Sequence, residues 1–290
     1  MLTAYYDLAR NPPTYDFVTF LMRVEALRLA SGDKDVEIMV LPGPDEGFRL
    51  DNLWPRGGEA RRKLLNNIVV PMAALLPACC RVTVHDDRPH AVSNSFGHNE
   101  YTIPFRNFTV AYGKGIRPLR SPDRPQREPD LVTITLRESE HWAFRNSHVQ
   151  EWLRAAIALA DLGYRVIIVR DTAKVCVPLE PLEGRGFVTD PEASMSMLAR
   201  ARLYSRAAVN FFVSNGPAWL ALALDVPAVI FRPTADHGPH FFREVAGVQR
   251  GGQMPNAPPY QRLVWKDETA ERVVEECRTM LGEAKVAACT

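Results

Sequence analysis

The chain of 290 residues has almost no net charge: 35 lysines and arginines against 34 aspartates and glutamates leave a formal +1. No overall field points toward nucleic acid or an anionic membrane surface, so any anion site must be built locally. Long apolar runs are also missing. None approaches the roughly 18 residues needed to span a bilayer, and the opening Met1-Leu2-Thr3-Ala4-Tyr5-Tyr6-Asp7 lacks the basic-then-apolar order of a secretory signal. These absences predict a cytoplasmic enzyme or binding protein without a transmembrane segment and without nucleic acid as a partner. Cysteine is sparse and odd in number. Cys79, Cys80, Cys176, Cys277 and Cys289 have no metal-ligand spacing, so structural disulfides are not expected, and the adjacent Cys79 and Cys80 read as buried thiols after an apolar helix. No Gly-x-Gly-x-x-Gly follows a strand, and neither Gly-x-x-x-x-Gly-Lys-Ser/Thr nor Gly-x-Ser-x-Gly occurs, so dinucleotide oxidoreduction, P-loop phosphotransfer and α/β-hydrolase chemistry lose their usual signals.

What is present is an alternation of short apolar segments with longer helical patterns. Hydrophobic residues at 46% and charged residues at 24% are ordinary for a globular chain, and the length allows two domains, each with its own core. In the first half, Leu2 to Tyr6, Val36 to Leu41 and Arg81 to His85 read as strands. A helix follows Asn11-Pro12-Pro13-Thr14, with Phe17, Phe20, Leu21, Val24 and Leu27 on one face, and a second over Gly58 to Leu76 should kink or break at Pro71. From Asp86 to Gly115 the pattern weakens to an ordinary connection. Residues 113 to 130, rich in proline and charge, read as a solvated linker, giving domains at 1–115 and 131–290 joined by 116–130.

The alternation restarts with strands over Leu131 to Leu136 and Tyr164 to Val169 and a helix over Ser147 to Leu162. A further helix over Pro191 to Arg206 should turn Met195, Leu198 and Leu203 inward. Leu263 to Trp265 reads as a last strand and Glu268 to Leu281 as a terminal helix. Strands alternating with helices of this length predict an α/β fold of two Rossmann-like parallel-sheet domains.

The second half is organised around Ala208 to Phe231, which reads as a buried strand, a Ser214-Asn215-Gly216 turn, a helix opened by Pro217, and a second buried strand. Proline suits the first helical turn, and Gly216 permits a conformation or a close approach that a side chain would forbid. The helix N-terminus then stands at the carboxyl end of a strand, where free N–H groups and the helix dipole favour an anion. In open parallel sheets ligands bind beyond the carboxyl ends of strands. The neighbouring ends carry Arg137 with Arg145 in the loop beyond it, Arg170 with Asp171, and Arg232 with Asp236 and His237. Guanidinium pairs with phosphate oxygens through two parallel hydrogen bonds, so this set suits a doubly charged leaving group such as a nucleoside diphosphate. Pairing of these arginines with Glu138, Asp171 or Asp236, or loop capping, is the competing reading.

Leu131 to Phe231 resembles the carboxyl-terminal domain of GT-B glycosyltransferases, in particular the heptosyltransferase-like family. The resemblance rests on Val132-Thr-Ile-Thr-Leu-Arg137, the helix with Trp152, the strand after Leu162-Gly163, and Val213-Ser-Asn-Gly-Pro-Ala-Trp219 running on to Phe231-Arg-Pro-Thr234. Asn215 stands where an aspartate or serine is commoner, and Trp219 where a histidine is often found. The resemblance implies two domains facing a cleft, with no cofactor, a nucleotide-sugar donor on the second domain and an acceptor, such as a glycan or lipid-linked saccharide, on the first. It further implies Ser214, Asn215 and Gly216 at the donor diphosphate. An inverting enzyme of this type needs a base from the first domain to take the acceptor hydroxyl's proton. Asp7, at the end of the first strand, is the first candidate, with Asp16, His98 and Glu100 behind it; a turn or capping role near Asn11 competes. Asp33-Lys34-Asp35 and Asp86-Asp87 read as solvated turn residues, and Asp236-His237-Gly-Pro-His240 as a donor-site loop, so no metal is expected. A nucleotide-sugar epimerase or hydrolase, or a non-catalytic nucleotide- or sugar-binding relative, would share these features.

Overall fold

Apolar strands separated by helices bury both faces of each strand, which a parallel sheet covered by helices accommodates. The computed structural model, which describes residues 1–50, 57–88, 95–96, 102–179, 186–233 and 247–282, contains two such sheets. The first holds β1 (Leu2–Asp7), β2 (Val36–Leu41), β3 (Cys79–Val84) and β4 (Ser95–Phe96) in the order β3-β2-β1-β4. The second holds β5 (Glu128–Thr135), β6 (Arg165–Val169), β7 (Phe187–Thr189), β8 (Ala207–Val213), β9 (Ala228–Phe231) and β10 (Gln261–Val264) in the order β10-β9-β8-β5-β6-β7. Every pairing is parallel. The second order is the doubly wound one. Its chain direction of travel reverses between β5 and β8, and the crevice at their carboxyl ends is where such sheets take ligands. The first sheet reverses in the same way between β1 and β4.

The helices follow from local chemistry. α1 (Phe17–Ser31) stops at Gly32, whose φ of 74° is the left-handed stop that glycine adopts without strain. The break expected at Pro71 is a π-helical turn, Leu65–Val69, between α2 (Gly58–Leu64) and α3 (Val70–Ala73), since proline offers no N–H to a regular ladder. α5 (Val149–Asp161) buries Trp152, and α8 (Gly216–Ala223) buries its whole length from Ala218 onward. α9 (Ala270–Leu281) is capped by the Thr269 hydroxyl, which accepts the Arg272 N–H.

Three expectations need correction. The weak pattern before Gly115 conceals α4 (Thr102–Gly113), which packs against α1 and buries Phe108, Ala111 and Tyr112. The stretch 116–130 is exposed at Arg120, Pro122 to Arg124, Gln126, Arg127 and Pro129, but its start is packed rather than solvated. Leu119 is buried and its N–H donates to Ala223 O, Arg117 stacks 3.5 Å from the Tyr112 ring centroid, and β5 already begins at Glu128. Pro191 to Arg206 is two helices, α6 (Pro191–Met195) and α7 (Met197–Arg206), because Ser196 is extended and its hydroxyl caps α7 at Ala199. The interruption resets the helical phase. Met195 and Leu198 turn outward, while Met197, Arg200, Ala201 and Tyr204 turn inward alongside Leu203.

The thiols also differ from expectation: Cys79 is half-buried and Cys80 exposed, because the edge strand β3 begins at Cys79 rather than at Arg81. One apolar cluster runs without interruption from β1 and α1 through α4 to α7, α8 and β10, so the two sheets share a core. Phe108 meets Trp219 edge-on at 5.0 Å between centroids within it. A second cluster, with Trp152, Phe211 and Phe231, covers the opposite face of the second sheet. No helix among the described residues is long and apolar enough to cross a membrane.

Candidate active site

The strand-turn-helix unit lies where the sequence places it, at the carboxyl end of β8 beside β5. The Ser214 N–H donates to Phe231 O at 3.1 Å, which anchors the turn to β9. Asn215 is the N-cap of α8, its Oδ1 accepting the Ala218 N–H at 3.0 Å, and Pro217 occupies the first turn. Gly216 is required by a close approach. A Cβ there would stand 2.4 Å from Cβ and Cγ of Tyr15, a residue of the first unit just before α1. The ring of Tyr15 therefore lies against the start of α8.

The arginines divide by their partners. Arg137 donates to the Trp142 carbonyl at 3.1 Å and also to His141 O and Asn146 Oδ1. It thus works as a strut for the loop over 139–146, in which Trp142 holds a left-handed φ of 53°. Arg170 grips the Glu138 carboxylate, with Nε 2.9 Å from Oε2, and donates to Val177 O. Arg232 lies 2.6 Å from the fully buried Glu268, whose other oxygen accepts the His148 N–H at 3.0 Å. Asp171 accepts the Glu138 N–H at 2.5 Å, and burial pushes its carboxyl up. Asp236 and His237 lie outside the described residues, as do His98, Glu100 and His240. Arg145 is placed differently: its Nη2 donates to Ser214 O at 3.1 Å, its guanidinium carbon is 5.3 Å from the Trp142 ring centroid, and its charge acts on Asp16 across the two units.

The two carboxylates of the first unit have opposite surroundings. Asp7 ends β1 and is fully buried. Both of its oxygens accept from Arg88, one at 2.8 Å, and Oδ1 also accepts the Ala9 N–H at 3.0 Å. Its backbone carbonyl accepts from the Asn11 side chain at 2.9 Å, so the capping geometry near Asn11 and the strand-end position coexist. Asp16 precedes α1 at the N-cap position, yet its carboxylate makes no capping bond. It is half-buried instead, and burial drives its pKa from 3.8 up to about 6, against the opposing charges of Arg49 and Arg145 and a hydrogen bond with Thr14. A carboxyl held near 6 is ionised at neutral pH and more basic than a solvated one, which is the setting of a general base.

Sequence reasoning missed Tyr15 and Arg200. Arg200, buried on α7, donates to Ala193 O at 2.7 Å, to Ser194 O at 3.1 Å and to the Tyr15 hydroxyl. The signal that could have exposed it is Ser196 as an N-cap, which shifts the inward positions by one. Asp33 accepts from the N-terminal amine at 2.6 Å, Asp86 and Asp87 are exposed, and among the described residues no three or more His, Cys, Asp or Glu side chains converge as a metal site would require.

No protein-family model matches the chain, and no curated sequence matches it. Solved structures do. E. coli heptosyltransferase WaaC with ADP aligns at 13% identity over 100% of both chains with a TM-score of 0.43, and a glycosyltransferase family 9 protein from Veillonella parvula at 13% identity over 97% of each with 0.46. The E. coli ADP-heptose LPS heptosyltransferase II aligns over 98% of this chain and 100% of its own at 12% identity, with a TM-score of 0.58. The doubly wound second sheet, the facing first sheet and this full-length likeness together establish a GT-B-like α/β fold, similar to that of heptosyltransferase II.

Proposed function

We propose that the chain is a glycosyltransferase that moves a sugar from a nucleoside-diphosphate-sugar to an acceptor hydroxyl, the 1–115 unit taking the acceptor and the 131–290 unit the donor. The observation that carries this reading is Arg145 set over the carboxyl end of β8, where it donates to Ser214 O at 3.1 Å, with its charge reaching Asp16 of the first unit. In this mechanism Asp16, rather than Asp7, takes the acceptor proton, because the Asp7 carboxylate is already held by Arg88. Arg145 and the N-terminus of α8 offset the negative charge that develops on the departing diphosphate. A fixed guanidinium and helix dipole supply that charge without a metal ion. Arg137, Arg170 and Arg232 act indirectly, by holding the loops that carry Arg145. The name of heptosyltransferase II, whose fold this chain shares, supports an ADP-sugar as the first donor to try. The four described cysteines are free thiols, which supports a cytoplasmic setting.

The test is release of nucleoside diphosphate from a panel of ADP-, UDP- and GDP-sugars, with and without saccharide acceptors. Acceptor-dependent release is the expected result, falling as pH drops through about 6 because protonation disables Asp16. Asp16→Asn should lose ~10²-fold or more of this rate, the usual scale of a general base. Free sugar or a new epimer in place of transfer would replace this reading with hydrolysis or epimerisation. Binding without turnover would make the chain a nucleotide-sugar-binding relative.

A further inference from the structure

We propose that Arg200 and Tyr15 form a positioning pair: Arg200 on the donor side holds the Tyr15 hydroxyl, and Tyr15 holds the first turn of α1, which carries Asp16. The role assigned to Asp16 rests on the transferase reading above.

A buried guanidinium is tolerated when its N–H groups are met by acceptors. Arg200 is 6% exposed, and two of its acceptors, Ala193 O and Ser194 O, are carbonyls at the end of α6 that have no partner within that short helix. The phenol oxygen of Tyr15 is the third acceptor, and it comes from the other unit. The Tyr15 ring is simultaneously pressed against Gly216, where the space for even a methyl group is absent. Tyr15 is thus fixed at its hydroxyl by α7 and at its Cβ end by α8.

That rigidity passes to Asp16 through one peptide bond. The Val18 N–H donates to Tyr15 O at 2.9 Å, and the Asp16 carbonyl accepts both the Thr19 N–H at 3.0 Å and the Thr19 hydroxyl at 2.6 Å. Side-chain freedom at Asp16 is therefore set by a turn that the donor unit clamps. The charged and titratable groups around Tyr15 are Arg200, Asp171 and Tyr204; those around Asp16 are Arg49, Arg145 and Tyr6. Arg200 does not touch the carboxylate. Its influence runs through Tyr15, by keeping water away from the Asp16 carboxyl.

Tyr15→Phe removes only the hydroxyl, and Arg200→Lys keeps the charge while losing the fork geometry. In the full-length protein carrying ¹³C-labelled aspartate, with Asp16→Asn assigning the signal, the Asp16 carboxyl is titrated by NMR. The parent midpoint should lie at about 6, and both variants should bring it at least ~1 unit back toward 3.8 as water enters. With a nucleotide-sugar that turns over, kcat should fall about tenfold while the donor KM stays within about twofold, since donor binding is not the quantity altered. Loss of a merely structural contact would lower the melting temperature and leave the carboxyl midpoint in place. An Asp16 midpoint within ~0.3 units of the parent in both variants overturns the proposal. If no nucleotide-sugar turns over, the transferase reading fails while the titration still decides the positioning link.

Discussion

Asp16→Asn has a consequence for stability that needs no substrate to measure. In the unfolded chain the carboxyl titrates near 3.8, and in the folded protein burial moves it to about 6. Between these values the folded state binds more protons than the unfolded state, so stability falls as pH rises through that window. The full penalty applies above the folded value. At 1.36 kcal/mol per unit the shift caps the penalty at about 3 kcal/mol. Asp16 keeps some exposure, so solvent screening brings the expected figure to ~1–2 kcal/mol. Asparagine has nearly the shape of the carboxyl and no charge to desolvate. The variant should therefore be more stable than the parent by ~1–2 kcal/mol at pH 8, and by roughly half as much at pH 5, where the folded parent is largely protonated. Urea unfolding at pH 8, 6.5 and 5 reads this directly, with an unchanged m-value showing that the same surface is exposed. A variant less stable than the parent at pH 8, or a gain that does not shrink toward pH 5, would refute the assignment of a desolvated, ionised Asp16. The same variant should lose transferase activity, the trade expected where a site holds a group in an unfavourable state.

Other substitutions separate roles within the site. Gly216→Ala places a methyl 2.4 Å from the Tyr15 side chain, so α8 or Tyr15 must move; thermal unfolding should show a loss of ~1–3 kcal/mol, and a neutral result would mean that Tyr15 does not rest on this turn. Arg137→Met removes the donors that hold Trp142, His141 and Asn146, and should cost about 2 kcal/mol or more in urea unfolding. If it instead leaves stability unchanged and weakens binding of ADP, Arg137 is a phosphate ligand rather than a strut. Glu268→Gln leaves the Arg232 side chain, 11% exposed, without its buried counter-charge, and a loss of about 3–5 kcal/mol is expected by chemical denaturation. No loss would show that the Asn146 carbonyl, 2.6 Å from its Nη2, suffices to hold Arg232.

The sequence determined the parts whose causes are local. Asn215, Gly216 and Pro217 in a row after an apolar strand specify a capped helix, and the structure has that helix between β8, which ends at Val213 as read, and β9, which spans Ala228–Phe231 as read. Alternating apolar and amphipathic segments likewise determine parallel sheets, since strands of this composition must be covered on both faces. Even the break at Pro71 follows from a missing N–H. Tertiary structure decided what those local rules do not reach. Arginine at a strand end is legible, but whether its fork meets a phosphate, as the sequence suggests, or a carboxylate, as for Arg170 and Arg232, depends on Glu138 and Glu268, 32 and 36 residues away along the chain. α4 was missed although Phe108, Ala111 and Tyr112 stand at helical spacing, because the apolar Val110 on its exposed side blurs that stripe, and packing against α1 and Trp219 decides which side is buried. The clearest case is Gly216. Sequence leaves open a special conformation or a close approach at that position, and only the packing of one sheet unit against the other reveals that it is a close approach, made by Tyr15, held by Arg200, beside Asp16. Backbone conformation is chosen within a few residues, whereas a site between two units is chosen by which distant side chains share one buried space.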